Sequence, residues 1–389
     1  MTRSITTLIL VAWCFSAFAQ YPIGHRQISY QDPARSNRNV PFEVYYPATT
    51  AGDNTAFATG TFPLIVFGHG FVMGYDAYLF WKNNLVPEGY IIAFPTTEGS
   101  MSPSHENFGA DLAFLINKIK DEAATNASSP FYQKLSATSA IMGHSMGGGS
   151  SFLACAGNNV PTCMVTFAAA ETNPSSTTAA GSINIPCMVM SGAEDCVAPP
   201  ASHQIPMYNA LSSPCKVYVS IIEGVHCYFG DYNFNCTFGE STCNPVPSIQ
   251  RADQEDVALD FTLLYLDYYL KNDAVAWTAF NDSLTSSSRI TYQMSCPSTS
   301  IEENDPKNEL MVYPNPATSE IVVVAGSGVN GEIRLEIYDL SGRMIYSSSD
   351  KADGINGIRI GTNDMEKGTY LIRLETSDGL YRQGRFSIH

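Results

Sequence analysis

Ile141-Met142-Gly143-His144-Ser145-Met146-Gly147-Gly148-Gly149 decides how the chain is read. The apolar run Ser139-Ala140-Ile141-Met142 leads into it, and Ser150-Ser151-Phe152-Leu153-Ala154 leads out. The pattern is a buried strand, a glycine-flanked tip carrying one serine, and a helix start of small residues. G-x-S-x-G in that setting marks a nucleophile elbow, with the serine on a strained strand-to-helix turn. Side chains at positions 143 and 147 would block the close backbone approach that such a turn needs.

Working outward, Phe62-Pro63-Leu64-Ile65-Val66-Phe67, Tyr90-Ile91-Ile92-Ala93-Phe94, Cys163 to Phe167, Pro186-Cys187-Met188-Val189-Met190 and Lys216 to Ile222 are short, largely apolar runs. They predict strands buried on both faces of a sheet. Asn39 to Tyr46 alternates and predicts an outer strand. Helical spacing runs over residues 105–124 and 252–271, the second read as the last helix, and 200–212 also suits a helix. Strands alternating with helices imply an α/β class: a mostly parallel sheet with helices on both faces. Ligands in such sheets sit at the carboxyl ends of the strands. Phe71, Ser145, Asp195 and His226 all fall there.

Serine is a weak nucleophile near neutrality and needs a base in hydrogen-bond reach, itself oriented by an acid. His226 follows a strand in a glycine-containing loop and is the expected base. His69 belongs to the loop that should supply an oxyanion donor, and His144 lies inside the elbow, pointing away from the serine proton. His25, His105 and His203 carry no flanking signal, so solvated or capping roles are expected of them. Asp195 leaves the strand before the one leading to His226, giving the chain order Ser, Asp, His; Glu194 and Glu223 are its neighbouring competitors. The backbone N–H groups of Met146 and Phe71 are the expected oxyanion donors. No cofactor or metal is called for.

The 389 residues suggest two domains, and 44% hydrophobic and 11% aromatic content suits a sizeable core. With 37 acidic against 21 basic residues the formal charge is −16, which argues against nucleic acid or an anionic membrane surface as partner. Arg3, the apolar run around Leu8-Ile9-Leu10-Val11-Ala12-Trp13 and the Ala17-Phe18-Ala19 signal predict a secretory signal peptide over residues 1–19. Of ten cysteines, Cys14 falls in that leader. Export favours disulfides, so most of the rest should pair, with one left over. Cys236 and Cys243 are expected to staple a loop, Cys196 with Cys227 to tie the acid and base loops, and Cys187 with Cys215 to bridge two strand starts. The sharper alternative is a zinc site of Cys227, Cys236, Cys243 and His226. The long loop after His226 carries Tyr228, Phe229, Tyr232, Phe234 and Phe238, which could wall an apolar site or bury one another.

Ser283 to Asp305 is rich in Ser, Asn, Glu and Pro and predicts a linker. Beyond it, six short strands separated by turns such as Leu340-Ser341-Gly342-Arg343 predict a small antiparallel sandwich. The expected boundaries are therefore leader 1–19, catalytic domain 20–281, linker 282–308 and tail domain 309–389.

Residues from about 40 to 270 resemble α/β-hydrolases of the group holding polyester hydrolases (cutinase and PET-hydrolase type), chlorophyllase-like and dienelactone-type enzymes. His69-Gly70-Phe71, Gly143-His144-Ser145-Met146-Gly147-Gly148, Glu194-Asp195-Cys196-Val197-Ala198-Pro199 and Gly224-Val225-His226 carry the likeness. It implies Ser145, Asp195 and His226 as triad, Phe71 and Met146 as oxyanion hole, and His144 and Val197 against the substrate. The polyester branch often has Trp where this chain has His144, and a Trp-Asp clamp where it has Ala170-Glu171-Thr172. The tail, through Val312-Tyr313-Pro314-Asn315-Pro316-Ala317-Thr318, Tyr338-Asp339-Leu340-Ser341-Gly342-Arg343 and Gly368-Thr369-Tyr370-Leu371-Ile372-Arg373, resembles the sorting domain of the type IX secretion system of Bacteroidetes. A secreted or cell-surface, monomeric serine ester hydrolase for neutral esters, polyesters included, is the expectation. A short-chain acylglycerol lipase or carboxylesterase, and a non-catalytic surface-binding relative, are the alternatives.

Overall fold

The computed structural model describes residues 20–244, 248–297, 310–324, 331–339, 343–352, 357–376 and 381–388. The signal peptide expected over residues 1–19 lies outside them. The chain divides into two compact units, the boundary in sequence falling between Pro297 and Ser298.

The first unit runs β1 (Ile23–Asp32), β2 (Arg38–Pro47), β3 (Gly52–Asp53), β4 (Phe62–Gly68), α1 (Leu79–Leu85), β5 (Ile91–Pro95), α2 (His105–Thr125), β6 (Leu135–His144) and α3 (Met146–Cys155). It continues with β7 (Cys163–Phe167), α4 (Ser176–Ala180), β8 (Cys187–Gly192), α5 (Gln204–Ala210), β9 (Lys216–Ile221), α6 (Phe234–Glu240), α7 (Arg251–Lys271), α8 (Ala274–Ser286) and β10 (Ile290–Ser295). All ten strands join one sheet in the order β10-β9-β8-β7-β6-β4-β5-β2-β1-β3. The stretch from β9 through β4 to β5 is parallel. β2 and β10 close it antiparallel against β5 and β9.

Alternation along β4 explains the two-faced core. Leu64 and Val66 pack with Leu112 and Ile116 of α2 and Phe152 of α3, whereas Ile65 and Phe67 face Trp81 of α1 and Phe261 of α7. Every residue of β4, β5, β7 and β8 is buried, as unbroken apolar runs require of strands covered on both sides. α2 begins at Ser104, whose hydroxyl accepts the Asn107 N–H. Its buried face is Phe108, Leu112, Leu115, Ile116 and Ile119.

Three expectations need correction. β2 is not an outer strand, because β1 pairs along it and β3 lies beyond. α7 is not the last helix, since α8 packs Phe280 and Leu284 into the same core. The linker expected over 282–308 does not begin there: α8 runs to Ser286 and β10 pairs with β9 across its whole length. β10 buries only Ile290 and exposes the rest, so an edge strand read as polar connection. Residues 298–309 of that segment lie outside the described residues.

The second unit holds β11 (Met311–Tyr313), β12 (Glu320–Val324), β13 (Gly331–Asp339), β14 (Met344–Ala352), β15 (Ile358–Gly361), β16 (Gly368–Thr376) and β17 (Tyr381–Ile388). They form two antiparallel sheets, β11-β12-β15 and β14-β13-β16-β17. Ile321, Val323 and Ile360 of the first share one core with Leu335, Ile337, Ile372, Leu374 and Phe386 of the second. Among the described residues no helix is long and apolar enough to cross a membrane.

Candidate active site

β6 delivers a buried backbone to Ser145, whose φ of 54° and ψ of −118° turn the chain sharply before α3. The Ser145 N–H donates to the Phe167 carbonyl at 3.0 Å, and its own carbonyl accepts from Gly149 at 3.0 Å and Ala170 at 2.9 Å. These bonds hold a backbone conformation that costs a non-glycine residue of order 1–3 kcal/mol. The glycines on either side are there for space. A Cβ on Gly147 would lie 2.1 Å from the Gly68 carbonyl oxygen, and one on Gly143 would lie 2.4 Å from that of Gly147. Gly147→Ala should therefore lower unfolding stability by about 3 kcal/mol through overpacking, read as a shifted denaturant midpoint at unchanged slope.

Asp195 and His226 arrive at the same rim on the loops after β8 and β9. His226 Nδ1 lies 2.7 Å from Asp195 Oδ2, and His226 Nε2 lies 2.9 Å from Ser145 Oγ. A carboxylate only accepts, so Nδ1 carries the proton and Nε2 presents its lone pair to the serine hydroxyl. Asp195 Oδ1 accepts the N–H groups of Val197 and Ala198, both at 2.8 Å, which fixes the plane of the carboxylate. All three side chains are buried, Ser145 at 9% exposed, Asp195 at 4% and His226 at 2%. The competitors Glu194 and Glu223 are exposed. Phe71 is 46% exposed and Val197 41%, and Met146 is the first residue of α3. Among the described residues the Phe71 N–H donates to no protein acceptor.

His144 departs from its expected place against the substrate. It is 1% exposed, with Nδ1 2.8 Å from the Tyr78 hydroxyl and Nε2 2.9 Å from the His226 carbonyl, so both ring nitrogens are occupied beneath the site. His105 and His203 are not merely solvated: their Nδ1 atoms accept the N–H groups of Asn173 and Glu171, at 3.1 and 2.9 Å. They thus pin the Ala170–Asn173 loop, whose Glu171 carboxylate turns to the start of α4 through Ser176 and Thr177. His69 packs both ring nitrogens against the carbonyls of Gly70 and Thr97.

The disulfides differ from every expected pairing. Cys196 bonds Cys243, Cys227 bonds Cys236, and Cys215 bonds Cys296. Cys187 and Cys215 begin neighbouring strands but point into opposite cores, which keeps their sulfurs apart. Cys155, Cys163 and Cys187 remain free and buried, and burial pushes all three thiols up, so three are left over rather than one. The zinc alternative fails because its three sulfurs are in disulfides and its imidazole faces Ser145 and Asp195.

Through these bonds α6 becomes a brace. Cys236 and Cys243 tie it to the loops of His226 and Asp195, Asn235 donates to the Val72 carbonyl at 2.8 Å, and the Glu240 carboxylate accepts the His226 N–H at 2.9 Å. Gln254 of α7 makes a second brace, exchanging two 2.8 Å bonds with the Val225 backbone. Sequence reading missed Glu240, Gln254 and Tyr78. The one local signal was a polar Gln254 on the apolar face of a helix; the others act across chain separations that no spacing encodes.

Residues 23–242, more than half of the chain, match the family described as PET hydrolase-like. The chain belongs to that family. Residues 311–385 match the secretion system C-terminal sorting domain, here of the type IX kind. It is thus an exported PET hydrolase-like protein of the α/β-hydrolase type, addressed by its tail to the type IX machinery and so to the cell surface or medium.

Burial holds His69, His105, His144 and His203 of this hydrolase below the ordinary imidazole value. In the unfolded chain they titrate near ~6.5. Below that value the unfolded state takes up protons that the folded state lacks, so stability is intact above it and falls as the pH drops. The urea midpoint should fall between pH 7.5 and 5.5, with proton uptake on unfolding near pH 6 in calorimetry. A flat midpoint with no uptake would contradict the buried neutral rings.

Proposed function

We propose that this protein is a serine carboxylic ester hydrolase that works through an acyl-enzyme. The observation that carries the proposal is the unbroken chain from Ser145 Oγ to His226 at 2.9 Å and from His226 to Asp195 at 2.7 Å, in an orientation that leaves Nε2 free to take a proton. Ser145 Oγ attacks the ester carbonyl while His226 Nε2 takes its proton. Asp195 stabilises the resulting imidazolium without becoming protonated. The tetrahedral oxyanion takes hydrogen bonds from the Phe71 and Met146 N–H groups. The alcohol leaves with the proton from His226, and water, activated by the same imidazole, frees the acid and regenerates Ser145.

Neutral esters with apolar acyl or aromatic parts, polyesters among them, are the proposed substrates. Two features support this. Phe71 and Val197 are exposed on the loops that follow β4 and β8, and Tyr232, Phe234 and Phe238 are 68%, 69% and 70% exposed on the braced α6 segment. With a formal charge of −16, an anionic substrate would be repelled whereas a neutral one would not.

A fluorophosphonate tests the nucleophile directly. It should add one phosphonyl group to Ser145 with loss of fluoride and stop turnover of p-nitrophenyl butyrate. Amorphous PET film, triacylglycerol and chlorophyll assayed side by side then rank the substrate classes. An unlabelled Ser145 with no butyrate turnover would remove the proposal.

A further inference from the structure

We infer that Tyr78 and His144 are a buried positioning pair that locks the oxyanion loop to the backbone of the base, so that both are set as one unit. Resting on the ester-hydrolase function proposed above, this assigns work to two residues outside the Ser-His-Asp set. The Gly70 N–H donates to the Tyr78 hydroxyl at 2.8 Å, and Gly70 is the residue before the oxyanion donor Phe71. The Tyr78 hydroxyl lies 2.8 Å from His144 Nδ1, and His144 Nε2 lies 2.9 Å from the carbonyl oxygen of His226.

Chemistry fixes the direction of this chain. A carbonyl oxygen only accepts, so the His144 proton sits on Nε2 and Nδ1 is left with a lone pair. The single phenolic proton of Tyr78 goes to that lone pair, and a phenolic lone pair receives the Gly70 N–H. Met73 Sδ, 3.3 Å from the same hydroxyl, is the weaker acceptor. Donation therefore runs one way, from Gly70 through Tyr78 and His144 to His226. Each donor in the chain has a single proton to give, and each gives it.

The packing leaves no slack. Tyr78 is fully buried and His144 nearly so. A Cβ on Gly70 would meet Met73 Sδ at 2.7 Å, Tyr78 Oη at 3.0 Å and His144 Nδ1 at 3.3 Å. The His144 and His226 rings lie 4.9 Å apart, so His144 also walls the catalytic imidazole. Burial pushes the Tyr78 phenol up and the His144 imidazole down, and both stay neutral where an esterase works. An oxyanion donor and a base that shift by about 1 Å relative to each other lose about 100-fold in rate.

Tyr78→Phe removes one oxygen and keeps the ring, leaving the Gly70 N–H and His144 Nδ1 without partners. We expect kcat on p-nitrophenyl butyrate to fall about 10- to 100-fold at nearly constant KM. His144→Leu should fall equally, and the double variant no further. His144→Gln, which can still accept from Tyr78 and donate to the His226 carbonyl, should recover most of the loss. Amide exchange should quicken in peptides covering 68–73 and 225–229 together in Tyr78→Phe. Wild-type kcat in Tyr78→Phe, or faster exchange in the first peptide alone, overturns the inference. If Ser145→Ala abolishes turnover while Tyr78→Phe leaves it intact, the coupling fails and the ester-hydrolase proposal stands. If the wild type turns over no ester, that proposal fails, and the paired exchange still decides whether the two loops are coupled.

Discussion

Ser145→Ala should lower kcat on p-nitrophenyl butyrate about 10⁶-fold, the loss typical when the nucleophile of such a triad is removed. The reason lies in the geometry. His226 Nε2 has Ser145 Oγ as its partner at 2.9 Å, and alanine leaves that lone pair with nothing to deprotonate. The fold should survive, because the elbow is held by backbone bonds to Phe167, Gly149 and Ala170, none of which uses the serine hydroxyl. Stopped assays with enough enzyme to see a millionfold loss, beside a thermal melt, check both halves. Turnover within tenfold of the parent would dismiss Ser145 as nucleophile.

The second large effect is Asp195→Asn, expected to cost about 10⁴-fold in kcat. Asp195 Oδ1 accepts two backbone N–H groups at 2.8 Å, from Val197 and Ala198. An asparagine must keep its oxygen there, because its NH2 would collide with two donors. The NH2 then faces His226 Nδ1, which has to become an acceptor, and the imidazole proton moves to Nε2. A ring with its proton on Nε2 cannot take one from Ser145. Asp195→Ala, which lets water in, should be less selective in its harm to tautomer and more harmful to the loop. A loss under tenfold in Asp195→Asn would reassign the acid to another carboxylate.

The central sheet was legible because parallel strands buried on both faces leave unbroken apolar runs, as in Phe62–Phe67 and Cys163–Phe167. Its margins were not. β1 is only partly covered and β10 exposes every residue but Ile290, so Ile23–Asp32 and Ile290–Ser295 carry the composition of loops and form strands only because a neighbour offers hydrogen bonds. The Ser145, His226 and Asp195 side chains were legible from strand ends and chain order, and the structure brings them within hydrogen-bond distance. Partners beneath the rim were not, since Tyr78, Glu240 and Gln254 act on backbone atoms far away in the chain. The disulfides failed for a related reason. Cysteine pairing here follows how the turns after β8 and β9 meet the helix Phe234–Glu240, and adjacency to Asp195 or His226 carries no such information.

The two crosslinks that end on and beside α6 have a consequence for when this protein becomes competent. In the reducing cytoplasm their four sulfurs are thiols. The sheet needs none of them, since its core is apolar on both sides. The loops carrying Asp195 and His226 are tied by them to the same short helix. Closure of the two crosslinks therefore waits on export, and the rim tightens only once oxidants are met outside the cytoplasm. Material made in a reducing host should accordingly be soluble, with faster amide exchange in the Asp195 and His226 loops until it is oxidised.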